Sequence, residues 1–209
     1  MKRLILFAAT LFTIHLTAQS GLEVAFGGGV SSSIYKETYP AKSISYYEPK
    51  IRPSYYLGLG YAIQSKKSPE LHFLVQARLE AKGMNIHWET NNNWPGIPSS
   101  DYKQPAYYAS IRTELQYELL KGIYTAVGLE NGYMFSKYNE DLKDILGEHR
   151  YDFAGLLSLG YQFNSLRLHL DYSRSILPMG LFDASPGAHS PNTFSYFSYF
   201  IHLGIGMKL

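Results

Sequence analysis

His169, Asp171 and Ser173 fall two residues apart in one run of the 209-residue chain. A serine, a histidine and a carboxylate are the parts of a nucleophilic acyl hydrolase. If the run is extended, the three side chains share a face but stand about 7 Å apart along it, too far for a nucleophile to touch its base. Partners would have to come from neighbouring strands. His72 and His202 could join Glu or Asp as metal ligands, yet no paired spacing supports a zinc site. The sequence therefore predicts no catalytic residue, no metal ligand and no cofactor. Gly27-Gly28-Gly29 and Gly58-Leu59-Gly60 are not phosphate loops, because they lie inside alternating runs and not at a strand-to-helix turn. They predict room for facing side chains. Two stretches carry aromatics suited to recognition: 31–50 with Tyr35, Tyr39, Tyr46 and Tyr47, and 84–104 with Trp88, Asn91, Asn92, Asn93, Trp94, Pro95 and Pro98. Packing over a barrel mouth would use them equally well.

The element that must position these residues is the strand. From Leu71 to Lys82 the odd positions are all apolar, and His72, Gln76, Arg78, Glu80 and Lys82 alternate with them. From Ala109 to Leu119, Ile111, Leu115 and Tyr117 alternate with Arg112, Glu114 and Gln116, and from Leu166 to Ser173 the split is complete. A period of two puts successive side chains on opposite faces of a strand; a helix would scatter them. The same rhythm, with glycine or alanine replacing charge, marks Leu22–Val30, Tyr55–Ile63, Ile123–Phe135, Tyr151–Phe163 and Tyr199–Leu209. That makes eight strands. Spacers alternate between short turns (65–69, 120–122, 164–165) and long polar connections (31–50, 84–104, 136–150, 177–193). Asn131-Gly132 is a favoured hairpin turn, but the apolar rhythm runs on through Tyr133 and Phe135, so it reads as strand interior.

Residues 1–18 have the plan of a cleaved signal peptide: Lys2 and Arg3, an apolar run from Leu4 to Leu16, and Ala18 before Gln19. The run is shorter than the ~20 residues of a membrane-spanning helix. Without Lys2 and Arg3 the 19 basic residues become 17, matching 17 acidic ones. A neutral chain with no basic block gives no footing for nucleic acid. With 45% hydrophobic residues, 19 tyrosines and 11 phenylalanines, the chain is too apolar for disorder. The absence of cysteine excludes disulfides and thiolate metal sites. The reading is of one domain over 19–209.

Alternation alone does not say which face meets solvent. A soluble, lipocalin-like barrel would turn the apolar face inward around a ligand; a membrane barrel reverses it. Three features favour the membrane. The apolar faces run about ten residues, the length a tilted strand needs to cross the hydrocarbon. Aromatics gather near strand ends (Tyr55, Tyr61, Tyr117, Tyr133, Tyr151, Tyr161, Phe163, Tyr172, Tyr199) as interfacial girdles do. The second face mixes glycine with charges of both signs, which can pair inside a narrow barrel. The predicted fold is an all-β, eight-stranded antiparallel up-and-down transmembrane barrel in the outer membrane, its lumen filled by side chains and no pore open through it.

The segments FGGGVSSS, LVQARLEAKG, YDFAGLLSLGYQF, LRLHLDYSRSI and the terminal LGIGMKL resemble the outer-membrane β-barrel domain family abundant in Bacteroidota, which includes PorT-like proteins. The resemblance implies an outer-membrane barrel in contact with lipid and lipopolysaccharide, and for the PorT branch a part in type IX protein secretion. The end HLGIGMKL is similar to the signal read by the barrel-assembly machinery, with Leu209 where phenylalanine is commoner. Serine–histidine–carboxylate sets also occur in outer-membrane lipid hydrolases of the PagL type. The functions these residues predict are therefore a structural role or binding of a protein or glycan through the loops, then an accessory role in type IX secretion, then lipid modification.

Overall fold

A computed structural model of the chain describes residues 19–37, 45–90, 100–136, 150–177, 180–183 and 193–209. Ten strands occupy them: β1 Gln19–Glu37, β2 Ser45–Lys50, β3 Arg52–Gln64, β4 Leu71–Thr90, β5 Ser100–Leu120, β6 Ile123–Met134, β7 Tyr151–Phe163, β8 Leu166–Ser175, β9 Gly180–Asp183 and β10 Thr193–Lys208. Eight of them pair in the ring β1-β3-β4-β5-β6-β7-β8-β10, which β1 and β10 close from Glu23↔Lys208 to Glu37↔Phe194. Every pairing is antiparallel. β2 and β9 are short extensions on β4 and β10. The short turns fall where the sequence places them. Two of them need a positive φ, supplied by Gly122 (φ 81) and Asn164 (φ 52), residues that tolerate the left-handed region. Asn131 and Gly132 are strand interior, paired with Ile111 and Ser110 on one side and with Phe153 and Asp152 on the other.

The long connections are shorter than predicted. β1 continues to Glu37, β4 to Thr90, β5 begins at Ser100, and β2, β9 and the start of β10 lie within stretches read as loop. The reason is visible in the sequence, where Met84, Ile86 and Trp88 keep alternating with Asn85, His87 and Glu89. Polar composition there signals water around the strands, and the ladder still satisfies the backbone. Lys50 pairs with Asn85 while Tyr55 pairs with Ala81, so residues 51–54 oppose only 82–84. The surplus residue makes a bulge where β2 meets β3, around Ile51, which belongs to neither strand. The connection at 137–149 and the leader at 1–18 lie outside the described residues.

Burial decides the orientation. Ile111, Leu115, Leu157, Leu159, Leu168 and Leu203 are exposed on the outer wall, whereas Arg112, Glu114, Gln76 and Asp171 are buried inside. The contrast is large: Leu157 is 58% exposed and Arg112 1%. On β5 the outward row runs from Tyr107 to Tyr117; ten steps of ~3.4 Å, tilted by ~40°, stand about 25 Å tall, the height of a transmembrane belt. Tyr107 stacks on Phe135 with centroids 6.2 Å apart, and Tyr133 lies 5.1 Å from Tyr151, as part of the loop-end girdle. Tyr117, Tyr161 and Phe163 mark the short-turn end. Tyr172, predicted for a girdle, instead pairs with Leu157 and Ile201 on the wall. Two threonines on the outer face donate to backbone carbonyls, Thr113 to Leu129 (3.4 Å) and Thr125 to Ser158 (3.1 Å), so neither hydroxyl is left unmet in lipid.

Leu157→Arg places a charge in this belt and should cost about 2–4 kcal/mol of folding free energy near the bilayer midplane. Reversible urea unfolding into lipid vesicles reads the cost; an unchanged midpoint would mean that Leu157 does not face the acyl chains.

Candidate functional site

The inward faces of the eight ring strands bring together residues far apart in sequence. Four cations, Arg78, Lys82, Arg112 and Arg167, and six carboxylates, Glu23, Glu80, Glu114, Glu130, Asp152 and Asp171, are buried there. An isolated charge in such a place would be prohibitive, so each must be compensated.

Toward the loop end Lys82 is the hub. Its Nζ lies 2.6 Å from Glu80, 2.5 Å from Glu130 and 3.6 Å from Asp152, and sits 4.2 Å from the centroid of Phe200. Ser175 donates to Asp152 at 2.6 Å and is hydrogen-bonded to Ser198. At mid-height Arg112 is the second hub. It donates to Asp171 (2.6 Å) and Ser158 (3.0 Å) and is ion-paired with Glu114, while Ser158 donates to the other oxygen of Asp171 (2.6 Å). Arg78 is held over the ring of Tyr56, 3.9 Å from its centroid, and comes within 3.7 Å of Asp171. Near the short turns Arg167 pairs with Glu23.

These contacts cross the lumen. β4 and β8 are diametrically opposite in the ring, yet Arg78 on one approaches Asp171 on the other. Arg112 and Asp171 are three strands apart, as are Lys82 and Asp152. Side chains from opposing walls thus meet at the axis and fill it. Glycine makes this possible at Gly204, where a Cβ would collide with the Tyr56 hydroxyl and the His169 ring. Tyr56 Oη and His169 Nε2 are hydrogen-bonded at 2.5 Å through that space.

The serine–histidine–carboxylate set shares one face but is not wired as a hydrolase. His169 is engaged by Tyr56 and lies 3.6 Å from Asp171, whose two oxygens are taken by Arg112 and Ser158. Ser173 Oγ is buried without a hydrogen-bond partner. A different serine–histidine contact exists, Ser54 Oγ to His202 Nε2 at 2.7 Å. The two are 148 residues apart in sequence, so no local spacing could have revealed it. His72 pairs with Gln64 and Gln116 near the short turns, away from the Ser54–His202 contact. Among the described residues no group of three or more His, Asp or Glu is placed to hold a metal ion. Of the loop candidates, Tyr35 falls on β1, Tyr46 and Tyr47 on β2 and Trp88 on β4, with Tyr47 opposite Trp88 in the ladder. Tyr39, Asn91, Asn92, Asn93, Trp94, Pro95 and Pro98 lie outside the described residues.

No family model and no curated protein matches the sequence. Among solved structures, the chain is similar to the outer membrane protein OprG from Pseudomonas aeruginosa (13% identity, 91% of this chain and 97% of that one, TM-score 0.45). It is similar to Neisserial surface protein A (10%, 91% and 99%, TM-score 0.46). A third likeness is to Ail, the attachment invasion locus protein of Yersinia pestis (12%, 90% and 99%, TM-score 0.40). At these scores the class follows from the chain's own geometry. A closed ring of eight strands, an apolar outside about as tall as the hydrocarbon layer and an ion-paired inside define an integral outer-membrane β-barrel.

Lys82→Met leaves Glu80, Glu130 and Asp152 without their cation and should destabilise the barrel by about 3–5 kcal/mol. Adding Glu130→Gln should restore part of that loss. Urea midpoints of the two variants in detergent test this, and equal losses in single and double variants would mean that Lys82 and Glu130 are not coupled.

Proposed function

We propose that this outer-membrane barrel is a non-enzymatic binding protein that works through its loop end and not through its lumen. The observation that carries the reading is the filled axis: Arg78 and Arg112 reach Asp171 across the ring, so there is no clear path for a solute. What remains free to act is the part of the sheet beyond the girdle. β4 and β5 stay paired from Gly83↔Pro105 to Trp88↔Ser100, above the level of Tyr107. In an outer-membrane barrel the long connections are extracellular and the short turns periplasmic. The raised strands carry Tyr35, Tyr46, Tyr47 and Trp88, and aromatic residues suit recognition of a protein or a glycan. A cleaved leader at 1–18 and delivery by the barrel-assembly machinery through the final strand belong to the same reading.

A second reading comes from the family resemblance of segments such as FGGGVSSS and LRLHLDYSRSI, since that outer-membrane β-barrel family includes PorT-like proteins: an accessory part in type IX secretion. Deleting the gene separates the two readings. Cargo that still reaches the surface removes the secretion role, and cargo retained in the periplasm supports it.

Replacing residues 86–102 by a two-residue Asn-Gly turn should leave a barrel that still migrates differently before and after boiling in SDS, and should abolish crosslinking of the intact cell surface to extracellular glycan or protein. Retained crosslinking would overturn the loop-end reading. So would lipid A whose mass changes on expression of the native chain and reverts with Ser173→Ala.

A further inference from the structure

Among the described residues the lipid-facing wall carries a single charge. The outward rows of the eight ring strands, between their girdle aromatics, are uncharged except at Arg174 on β8, which is exposed between Tyr172 and Ile176. Eight steps of ~3.4 Å from Leu166, tilted by ~40°, put it about 21 Å above the short-turn end of the belt, close to the loop-end girdle. The apolar wall does not stop below it, because Ile176 and Leu177 lie beyond it and are exposed. Across the ladder Arg174 faces Gly155 on one side and Tyr199 on the other. Among the described residues its guanidinium has no ion-pair or hydrogen-bond partner. An arginine on the lipid face is costly at the midplane and is tolerated near the interface, where it can reach polar headgroups.

Beside Arg174 the wall is recessed. A groove of about 520 Å³ is lined there by Arg174 together with Gly155, Leu157, Tyr172, Ile176 and Phe197, and by no carboxylate. The recess follows from Gly155, which brings no side chain to the outer face. A Cβ at that position would meet only Ile176, at 3.4 Å, an ordinary contact, so the packing of the wall does not demand glycine there. The result is an apolar slot open to the acyl chains with one unanswered cation in its lining.

We propose that Arg174 and the Gly155 groove hold one phosphate-bearing lipid of the outer leaflet. The guanidinium takes the phosphate, whose oxygens match its planar fork of donors. An acyl chain of the same lipid lies in the groove against Leu157 and Tyr172, which continue it toward the midplane. The leaflet follows from the height of Arg174, since the loop end of an outer-membrane barrel is the extracellular one. The lipid sits on the wall below the raised strands, and its binding does not depend on what those strands recognise.

The test adds bis-phosphorylated lipid A to the refolded full chain in amine-oxide micelles, a detergent without phosphate. The amide resonances of Gly155 and Tyr199 report on the site, and Ala77, on the diametrically opposite strand β4, is the control. Saturable shifts at Gly155 and Tyr199, absent at Ala77, are expected. Lipid A stripped of its phosphates, and inorganic phosphate alone, should each bind more weakly than the intact lipid. Arg174→Gln should weaken binding of the phosphorylated lipid roughly tenfold, the scale of one hydrogen bond to a charged group. Arg174→Lys keeps the charge and should lose less. Gly155→Leu fills the groove and should weaken the lipid while leaving the response to inorganic phosphate unchanged. All variants are first checked for the boiled-versus-unboiled mobility difference. If Arg174→Gln does not fold, the comparison of the three ligands on the native chain carries the test. Equal affinity for intact and stripped lipid A overturns the proposal, as do inorganic phosphate binding as tightly as the lipid, equal shifts at Ala77, or unchanged affinity in the folded Arg174→Gln chain.

Discussion

A backbone in hydrocarbon has no water to bond with, and this dictates the rest of the molecule. Each N–H and C=O in the belt must find a partner in the protein, so the sheet cannot have an edge there. The pairing of β1 with β10 over the whole height of the wall is the direct consequence. Closure at eight strands then fixes a lumen just wide enough for side chains. Because successive residues point to opposite faces, a wall that is apolar outside delivers every second residue of every strand to that narrow space.

The ionic core follows from the same geometry. Inward positions of a barrel this small cannot be filled by water alone, and the residues delivered there include ten charged side chains. They are kept because they answer one another: Lys82 against three carboxylates, Arg112 against two. Ion pairs in low dielectric do not stabilise much compared with hydrophobic packing, but a missing partner is costly. The plug is therefore a mutually dependent network, in which loss of one member is felt by the others.

Much of this was legible in the sequence because period two is a local signal. Leu166–Ser173 and Leu71–Lys82 declare both their faces from residue types alone, and the identity of the inward set, Arg78, Lys82, Arg112, Glu114 and Asp171 among them, came with it. The limits of the strands were harder to read. Met84, Ile86 and Trp88 still alternate, but with asparagine, histidine and glutamate between them, and a strand with that composition looks like a loop. The partners inside the lumen were not legible. Ser54 with His202, and Tyr56 with His169, meet only because closure brings the first half of the chain against the last. Spacing along one strand pointed to His169, Asp171 and Ser173 as a group, and the network across the ring divides them instead.

The orientation of the wall can be measured directly, since the chain has no cysteine of its own. Single cysteines carrying a nitroxide at Ile111 and Leu115, and at the inward neighbours Ser110 and Gln116, would be compared in lipid vesicles for collision with oxygen and with a water-soluble nickel complex. The account predicts high oxygen collision at 111 and 115, low collision with both reagents at 110, where the packed lumen shields the probe, and collision with the nickel complex rather than with oxygen at 116, which lines the short-turn mouth. High oxygen collision at 110 and 116 with shielded probes at 111 and 115 would contradict it and turn the barrel inside out.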